Sequence, residues 1–309
     1  MTPCRRRTAD RPDPVPPRNK QVGASRAAKA PSSAAPPESL RNYFGALYRF
    51  TTALPHYEDV TRADAGQLRF MLAGRGHYRF HDGHCMATPD VCLLGPTMGS
   101  TSFTLDTPAD VWGISLLPLG WVAIDGGDVS RMADRLCDMT LEQGAAYAAL
   151  LDQLRASAAD TAASATGIWA FLEARLRPVP PAMVSFVAAV DAWLANEGSP
   201  RVSDLVAATG LSDRQVARLT NRLYGGPPKL LARKYRALRC AVKIAIDHTP
   251  WQDLCDAATF YDQSHFIREI KHFVGLTPHQ LMTDPTEVAR LTLQRRDMGI
   301  AMAEINRIS

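Results

Sequence analysis

Two stretches of the chain place hydrogen-bonding side chains between apolar residues that recur at helical spacing. They cover residues 213–223 and 262–273, and in each the apolar residues would share one helix face while the polar residues occupy the other. Arginine and glutamine can make paired hydrogen bonds to guanine and adenine edges, and arginine and asparagine can also hold phosphates. The outward faces are therefore chemically suited to a DNA major groove. The candidate contact residues are Asp213, Arg214, Gln215, Arg218, Asn221 and Arg222 in the first stretch and Gln263, Ser264, His265, Arg268 and Lys271 in the second.

The first stretch requires a helix–turn–helix to position it. Ser203 can cap a short helix, and Gly210 can supply the left-handed residue that ends it. Ser212 and Gln215 have the spacing of a capping box at the start of the next helix. The pattern predicts two helices joined by a tight turn.

The same pattern recurs before the second stretch. Thr249 can cap a helix with Pro250 at its first position and Gln252 at the capping-box position, and this helix should continue to about residue 258. Asp262 can then cap the helix that carries the second set of polar residues. Thr259 stands in the turn, where a β-branched residue at positive φ would cost about 1–2 kcal/mol, so we expect strain or another turn geometry there.

A third predicted helix, from about residue 228 to 248, connects the two modules. Helical throughout, it would span about 30 Å at about 1.5 Å per residue. One turn of B-DNA is about 34 Å long. Two recognition helices at its ends could therefore enter successive major grooves on one face of a duplex.

Residues 182–284 resemble the DNA-binding domain of the AraC/XylS family of bacterial transcription regulators. The resemblance is carried by LVAATGLSDRQVARL in the first module, by FYDQSHFIREIKHFVGLTPHQL in the second, and by Ala237, Leu238, Arg239 and Ala241 between them. It implies a bipartite DNA-binding unit fused to a sensing or dimerising domain. The partners implied are double-stranded promoter or operator DNA, a small-molecule effector, RNA polymerase and a second copy of the chain.

The segment from 41 to 127 has the pattern of short strands separated by turns. Apolar and polar residues alternate around Phe70, Tyr78 and Phe103, and Asp82-Gly83 predicts a tight hairpin. Such a segment predicts a β-sandwich or small barrel. The stretches GRGHYRFHDGHCMATPDVCLLGP and VWGISLLPLGW resemble, more weakly, the cupin-like domains of the same regulators, which implies a sensor.

The expected fold is therefore α+β. A cupin-like β-sandwich or barrel with a helical dimerisation segment (128–178) precedes an all-α domain of two helix-turn-helix modules joined by a linker helix, and a helical tail (285–309) follows. Tyr78, Phe80 and Trp112 are candidates to line a ligand pocket, and core packing is the competing interpretation.

An enzyme in place of a sensor is the main alternative, because cupin barrels often bind iron. His77, His81 and His84 are the candidate ligands, but the glutamate that usually follows the H-x-H pair of that fold is missing. A nucleophile elbow and a phosphate-binding loop are also missing from the sequence. We expect no catalysis, metal or cofactor; a metal-dependent cupin fused to a DNA-binding module and a constitutive DNA-binding dimer without an effector stay open as alternatives.

Composition limits the remaining classes of protein. The 309 residues carry a net charge of +4, but residues 1–40 hold eight Lys or Arg against three acidic residues, so the rest of the chain is close to neutral. That segment, rich in Pro, Ala and Ser, predicts a disordered basic tail. A run of about 18 apolar residues is absent, which excludes a predicted membrane helix and favours a cytoplasmic protein. The six scattered cysteines predict neither a disulfide framework nor a zinc site.

Overall fold

The computed structural model describes residues 29–124, 128–142, 144–196, 200–255 and 260–293. Its N-terminal part contains two antiparallel sheets whose strands follow the predicted alternation. In one strand Tyr78 is buried while His77 and Arg79 are exposed. The strands are β1 (Lys29–Ala34), β2 (Phe44–Thr52), β3 (Tyr57–Thr61), β4 (Gly66–Ala73), β5 (Gly76–Arg79), β6 (Cys85–Ala87), β7 (Val91–Leu94), β8 (Thr101–Leu105), β9 (Ala109–Leu116) and β10 (Leu136–Asp138).

The sheets stack face to face. One has the order β1-β2-β9-β4-β7-β10 and the other the order β3-β8-β5-β6. A core cluster lies between them, with Phe50 and Met71 from the larger sheet and Tyr78 and Phe103 from the smaller one. Asp82-Gly83 lies in the turn between β5 and β6, as the hairpin pattern predicts. The apolar side chains of the alternating strands thus form the interior of a β-sandwich.

Helices cover the outer face of the larger sheet. Leu150, Leu154, Ile168 and Leu172 of two of them join the sheet residues in one apolar core. These helices are α1 (Pro118–Ile124), α2 (Met139–Glu142), α3 (Ala145–Ala156) and α4 (Thr161–Glu173).

Two strands fall where strands were not expected. The strand β1 lies within the predicted disordered tail and pairs with β2, and β10 lies within the predicted helical segment and pairs with β7. Both lie at an edge of the larger sheet, where a neighbouring strand offers unpaired backbone groups to any extended segment. Backbone pairing of this kind leaves little trace in the side-chain pattern. Residues 1–28 lie outside the described ranges.

The C-terminal part is helical, and the two modules that the sequence predicts each pack around an apolar core. Its helices are α5 (Pro181–Ala195), α6 (Val202–Thr209), α7 (Asp213–Tyr224), α8 (Pro228–Ala245), α9 (Gln263–Val274), α10 (Pro278–Thr283) and α11 (Glu287–Leu293). The first module packs around Val216 and Leu223, and the second around Phe266, Ile270 and Phe273. The predicted α+β arrangement of N-terminal antiparallel sheets and a C-terminal helical region is confirmed.

The first helix of the second module differs from its prediction. A short 3-10 helix, Trp251–Leu254, begins after Pro250, and a side-chain cap from Thr249 is not formed. Thr259, for which we expect strain or another turn geometry, lies outside the described residues.

The two parts of the chain are in direct contact. Ala63 and Ser100 of the N-terminal part donate backbone hydrogen bonds to the carbonyl oxygens of Phe273 and His272, at 2.6 and 2.8 Å. Gly275, which ends α9 with φ at 86°, faces Val60 so closely that a Cβ would come within 2.4 Å of a Val60 methyl group. The end of α9 is therefore docked onto the sheets. No helix in the described ranges is both long and apolar enough to cross a membrane.

Candidate nucleic-acid interface

The first module is built as the sequence predicts. Gly210 ends α6 in the left-handed conformation, with φ at 66°. The capping box at the start of α7 is confirmed: the Ser212 hydroxyl accepts from the Gln215 N–H, and Gln215 Oε1 accepts from the Ser212 N–H at 3.0 Å. The tight turn and the cap together fix where α7 begins.

One face of α7 is open to solvent. Asp213, Arg214, Gln215 and Arg218 are exposed, while Val216, Thr220, Leu223 and Tyr224 are buried on the opposite face. The Gln215 oxygen is already used in the capping box, so pairing with an adenine edge would require this side chain to leave the cap. Asp213, Arg214 and Arg218 remain accessible to a groove.

The last turn of α7 lies beside the N-terminal part of the chain. Asn221 is half-buried and donates to the carbonyl oxygen of Ala217 in its own helix, at 2.7 Å. Together with Arg218 and Arg222 it borders a cleft whose other wall contains Asp128 and Ser130. The pKa of Asp128 is lowered, chiefly by the hydrogen bond from Ser130 and to a smaller extent by the charge of Arg222. Sequence reasoning missed this carboxylate beside the candidate DNA-binding face, because nothing local links residue 128 to α7.

The second module presents its own exposed polar face. The Asp262 side chain accepts from the His265 N–H at 2.6 Å, which confirms the predicted cap of α9. Gln263, Ser264, Arg268 and Lys271 are exposed. The buried face of the helix is the predicted Phe266, Ile270 and Phe273. Four of the five candidate residues of α9 therefore face solvent.

His265, the fifth candidate, is half-buried and is engaged within the module. Its ring packs edge-on against Phe260, with centroids 5.9 Å apart, and its Nε2 lies 3.9 Å from Glu269 Oε1. The backbone N–H of Tyr261 donates to its Nδ1 at 3.4 Å. These contacts give the side chain a role in shaping the start of α9.

An ion pair that the sequence analysis missed fixes α9 onto α8. Arg233 Nη2 and Nε lie 2.6 and 3.0 Å from the two carboxylate oxygens of Glu269. Burial opposes ionisation of Glu269, but the hydrogen bonds and charge of Arg233 lower its pKa overall. A two-point pair of this geometry holds both position and orientation. The partners are 36 residues apart, so a local spacing rule could not find them.

A second polar contact anchors α7 to α5. The Tyr224 hydroxyl donates to Asp191 Oδ1 at 2.7 Å. Burial raises the pKa of Asp191 to about 6, although the hydrogen bond from Tyr224 acts in the opposite direction. Each recognition helix is thus held to its neighbour by a polar pair as well as by apolar packing.

A cavity of about 110 Å³ lies between the two sheets. Tyr78, one of the three candidate pocket residues, lines it together with Arg69, Gln67 and Met71, and Val288 and Thr292 of α11 form another part of the wall. Phe80 and Trp112 are not among the described lining residues: Phe80 stacks on His84, and Trp112 is buried in the core with the helices. The alternation of β5 identifies inward-facing residues but cannot distinguish a cavity wall from a filled core.

Arg69 is the cationic side chain of the cavity wall. Its Nε and Nη2 donate to Gln67 Oε1 at 2.9 and 2.7 Å, and its guanidinium lies 5.2 Å from the centre of the Tyr78 ring. Neither partner carries a negative charge. Among the described residues, no carboxylate lies within ion-pair distance of Arg69. Asp64, the carboxylate among the described lining residues, accepts from the Ala65 N–H at 2.8 Å and from Gln67 Nε2 at 3.0 Å. The described lining therefore combines mainly apolar side chains with one cation, Arg69, and one hydrogen-bonded carboxylate, Asp64.

The three candidate metal-binding histidines have separate surroundings. His77 is exposed on β5, His84 stacks on Phe80, and His81 packs against His272 with ring centroids 5.3 Å apart. Within the ranges that the structure describes, no group of three His, Cys, Asp or Glu side chains is arranged to hold a metal ion.

Comparison with known proteins places the family match on the C-terminal part of the chain. Residues 205–284 match the family model described as a helix-turn-helix domain. No curated protein matches the chain. Among solved structures, apo ToxT from Vibrio cholerae aligns with a TM-score of 0.44 and 12% identity, over 79% of this chain and 98% of that one. ToxT with a bound unsaturated fatty acid aligns at 0.42 and 10%, over 79% and 96%.

The AraC-like transcriptional activator CuxR aligns more distantly, with a TM-score of 0.31 and 14% identity over 66% of this chain and 79% of that one. The family match spans both recognition helices, the capping box of α7 and the Asp262 cap of α9. Residues 205–284 of this chain are a helix-turn-helix domain of the AraC type.

Proposed function

We propose that the chain is a sequence-specific DNA-binding transcription regulator whose helices α7 and α9 read two successive major grooves. The observation that carries the proposal is the pair of capped helices, each with an exposed polar face, joined by α8. The 18 residues of α8 span about 27 Å at about 1.5 Å per residue. That length is close to the pitch of B-DNA, about 34 Å.

The polar residues divide into two groups by what they can contact. Arg214 and Arg218 have the geometry for paired hydrogen bonds to guanine, and Gln263 has it for adenine. Lys271, a point charge near the end of α9, suits a phosphate. Discrimination between sequences is therefore assigned mainly to α7, and positioning on the backbone mainly to α9.

The cavity supports a response to a small molecule. Its lining is mainly apolar, and the Asp64 carboxylate there is hydrogen-bonded to Ala65 and Gln67, so Arg69 suits a compact molecule that carries one anionic group on an apolar body. Binding there would change DNA recognition only if the molecule favours one arrangement of the two parts of the chain. We assign the effector site to the space around Arg69 and Tyr78.

A homodimer and contact with RNA polymerase complete the proposal. The helices α3 and α4 bury one face on the larger sheet and leave Ala149, Ala163 and Ala170 exposed on the other. Small side chains allow a second helix pair to approach closely. Light scattering of the purified chain tests the dimer, and a monomer at micromolar concentration would remove that part of the proposal.

The DNA assignment is tested with the full chain and duplexes from the region upstream of its own gene. Fluorescence anisotropy over a range of salt concentrations should show a linear loss of log affinity with log salt. The preferred duplex should bind at least about 1,000-fold more tightly than a scrambled duplex of the same composition. Equal binding to both duplexes would contradict sequence-specific recognition.

A further inference from the structure

The helix α11 is shared between the two parts of the chain. Val288 and Thr292 point to the cavity between the sheets. Ala289, on an adjacent face of the same helix, is 3% exposed and belongs to the core of the second helix-turn-helix module. A single short helix therefore contacts both the candidate effector site and the candidate DNA-reading unit.

Polar contacts hold α11 against the wall of the cavity. The Val288 N–H, which has no partner within a first helical turn, donates to Asp59 Oδ2 at 2.9 Å. The Tyr57 hydroxyl donates to the same oxygen at 3.1 Å and lies 3.4 Å from Glu287 Oε2. Asp59 is 8% exposed and lies on β3. A carboxylate of the sheet thus completes the cap of a helix from the other part of the chain.

With α11 in this position, the cavity is small for a ligand-binding pocket. Its volume is about 110 Å³, whereas pockets that bind small organic molecules are usually about 300–1,000 Å³. A space of about 150 Å³ holds a molecule of the size of benzene. With Val288 and Thr292 in place, the space between the sheets is therefore smaller than one that holds a single aromatic ring.

We propose that α11 is a lid over the effector cavity, so that the docked position of α11 and occupancy by an amphipathic anion exclude one another. The proposal rests on the effector response put forward above and adds the segment that must move. The anion enters along the side that α11 covers and meets Arg69. The contact of Ala289 with the core of the second module, where α11 packs against α8, is lost when the lid leaves, so the effector removes one restraint on that module.

A fluorescent amphipathic anion, anilinonaphthalene sulfonate, is a suitable probe because its rings need more than the space of about 110 Å³ between the sheets. If the lid must open first, the apparent dissociation constant is the intrinsic one divided by the open fraction. Loss of a helix cap shifts such an equilibrium by about fivefold to tenfold. Asp59→Ala should therefore bind the probe about fivefold to tenfold more tightly than the unchanged chain. Glu58→Ala, an exposed neighbour on the same strand, should leave the affinity unchanged.

A second pair of variants avoids any change to the sheets. Val288→Ala weakens the contact of the lid with the cavity and should strengthen probe binding in the same direction as Asp59→Ala. Arg290→Ala, exposed on the same helix, is its control. If Asp59→Ala does not fold, this pair decides the outcome. Equal probe affinity in Val288→Ala and Arg290→Ala would overturn the lid.

The site and the movement are checked separately. Arg69→Met, combined with Val288→Ala, should remove the preference for the probe over its neutral analogue N-phenylnaphthylamine. If the double variant keeps this preference, the probe binds elsewhere and the proposal is overturned. Hydrogen exchange at the Val288 amide should accelerate when the unchanged chain is saturated with probe. Saturation without faster exchange would show that the cavity fills with the lid in place.

These outcomes are independent of DNA binding, which is measured on the same preparations. If specific DNA binding is found and the probe results contradict the lid, only the lid proposal fails. If the lid results hold and the chain shows no preference among duplexes, it is the regulator function that fails.

Discussion

The ammonium nitrogen of Lys234 lies 2.9 Å from the carbonyl oxygen of Thr97 and 2.8 Å from that of Asp64. Lys234 is on α8, and both carbonyls belong to the N-terminal part of the chain. The side chain is 2% exposed, so a charged group of the linker helix is enclosed by the other part of the protein. The helix that sets the spacing of α7 and α9 is thereby tied to the sheets.

Lys234 should make the stability of the chain depend on pH on the alkaline side. Burial lowers the pKa of Lys234 from 10.5 to about 8. Between these values the unfolded chain binds more protons than the native one, so the free energy of unfolding should rise with pH through that window. We expect Lys234→Met to lose this rise, on the order of 1–2 kcal/mol. Urea unfolding from pH 7.5 to 9.5 measures it, with the exposed Lys229→Met on the same helix as the control.

The two recognition helices should respond differently to loss of a positive charge. Arg218→Ala should cost about 1–3 kcal/mol of binding free energy and relax the preference for one base pair. Lys271→Ala should weaken binding to all duplexes alike and reduce the salt slope by about 1. Arg79→Ala removes an exposed charge of β5 and should do neither. Anisotropy titrations with specific and scrambled duplexes distinguish these outcomes, and an unchanged slope in Lys271→Ala would remove that residue from the interface.

Asp128 should compete with phosphate for the basic side chains of α7. It lines the same cleft as Arg218 and Arg222. Its negatively charged carboxylate would repel the phosphates of a bound duplex. We expect Asp128→Asn to raise DNA affinity about twofold to fivefold at low salt, an effect that fades as salt screens it. Asp152→Asn, an exposed carboxylate of α3, controls for net charge. Equal gains in both variants would assign the effect to total charge and not to the cleft.

Asp191 should produce a dependence on pH of the opposite sign to Lys234. Its pKa in the folded chain, about 6, lies above the ordinary value of 3.8. The native state therefore binds more protons between these values, and the contribution of Asp191 to stability grows as pH falls from 7 towards 4. Asp191→Asn keeps an acceptor for Tyr224 without the charge, so it should stabilise the chain by about 1–2 kcal/mol at pH 7 and lose that advantage near pH 4. Thermal unfolding at the two pH values, beside Asp204→Asn on α6, measures the difference.

Local patterns predicted the parts of the site that depend on neighbours in sequence. The capping box of α7, the Gly210 end of α6 and the Asp262 cap of α9 each involve residues within a few positions of one another. The exposed and buried faces of α7 and α9 follow from helical periodicity in the same way. Each of these features is determined by residues that are close together in the sequence.

Contacts between distant residues were not predictable from the same patterns. Arg233 and Glu269 are separated by 36 residues, and Lys234 and Asp64 by 170. Charges at such separations look like ordinary solvated residues until the fold brings them together. The place of Arg69 in the cavity wall was missed for a related reason: an arginine in a strand that alternates with apolar residues is indistinguishable from an outward-facing one. Edge strands such as β1 depend on backbone pairing, which the side chains do not report.

Gly275 meets two structural requirements that no other residue type can meet together. Its φ of 86° ends α9, and its missing side chain lets Val60 approach to a distance that a Cβ would forbid. Asparagine could adopt the left-handed conformation, but its side chain would still push the sheet away from the helix. Position 275 is therefore a marker that can be read from sequence alone: a related chain without glycine there can keep the helix end but cannot dock its sheets onto it in this way.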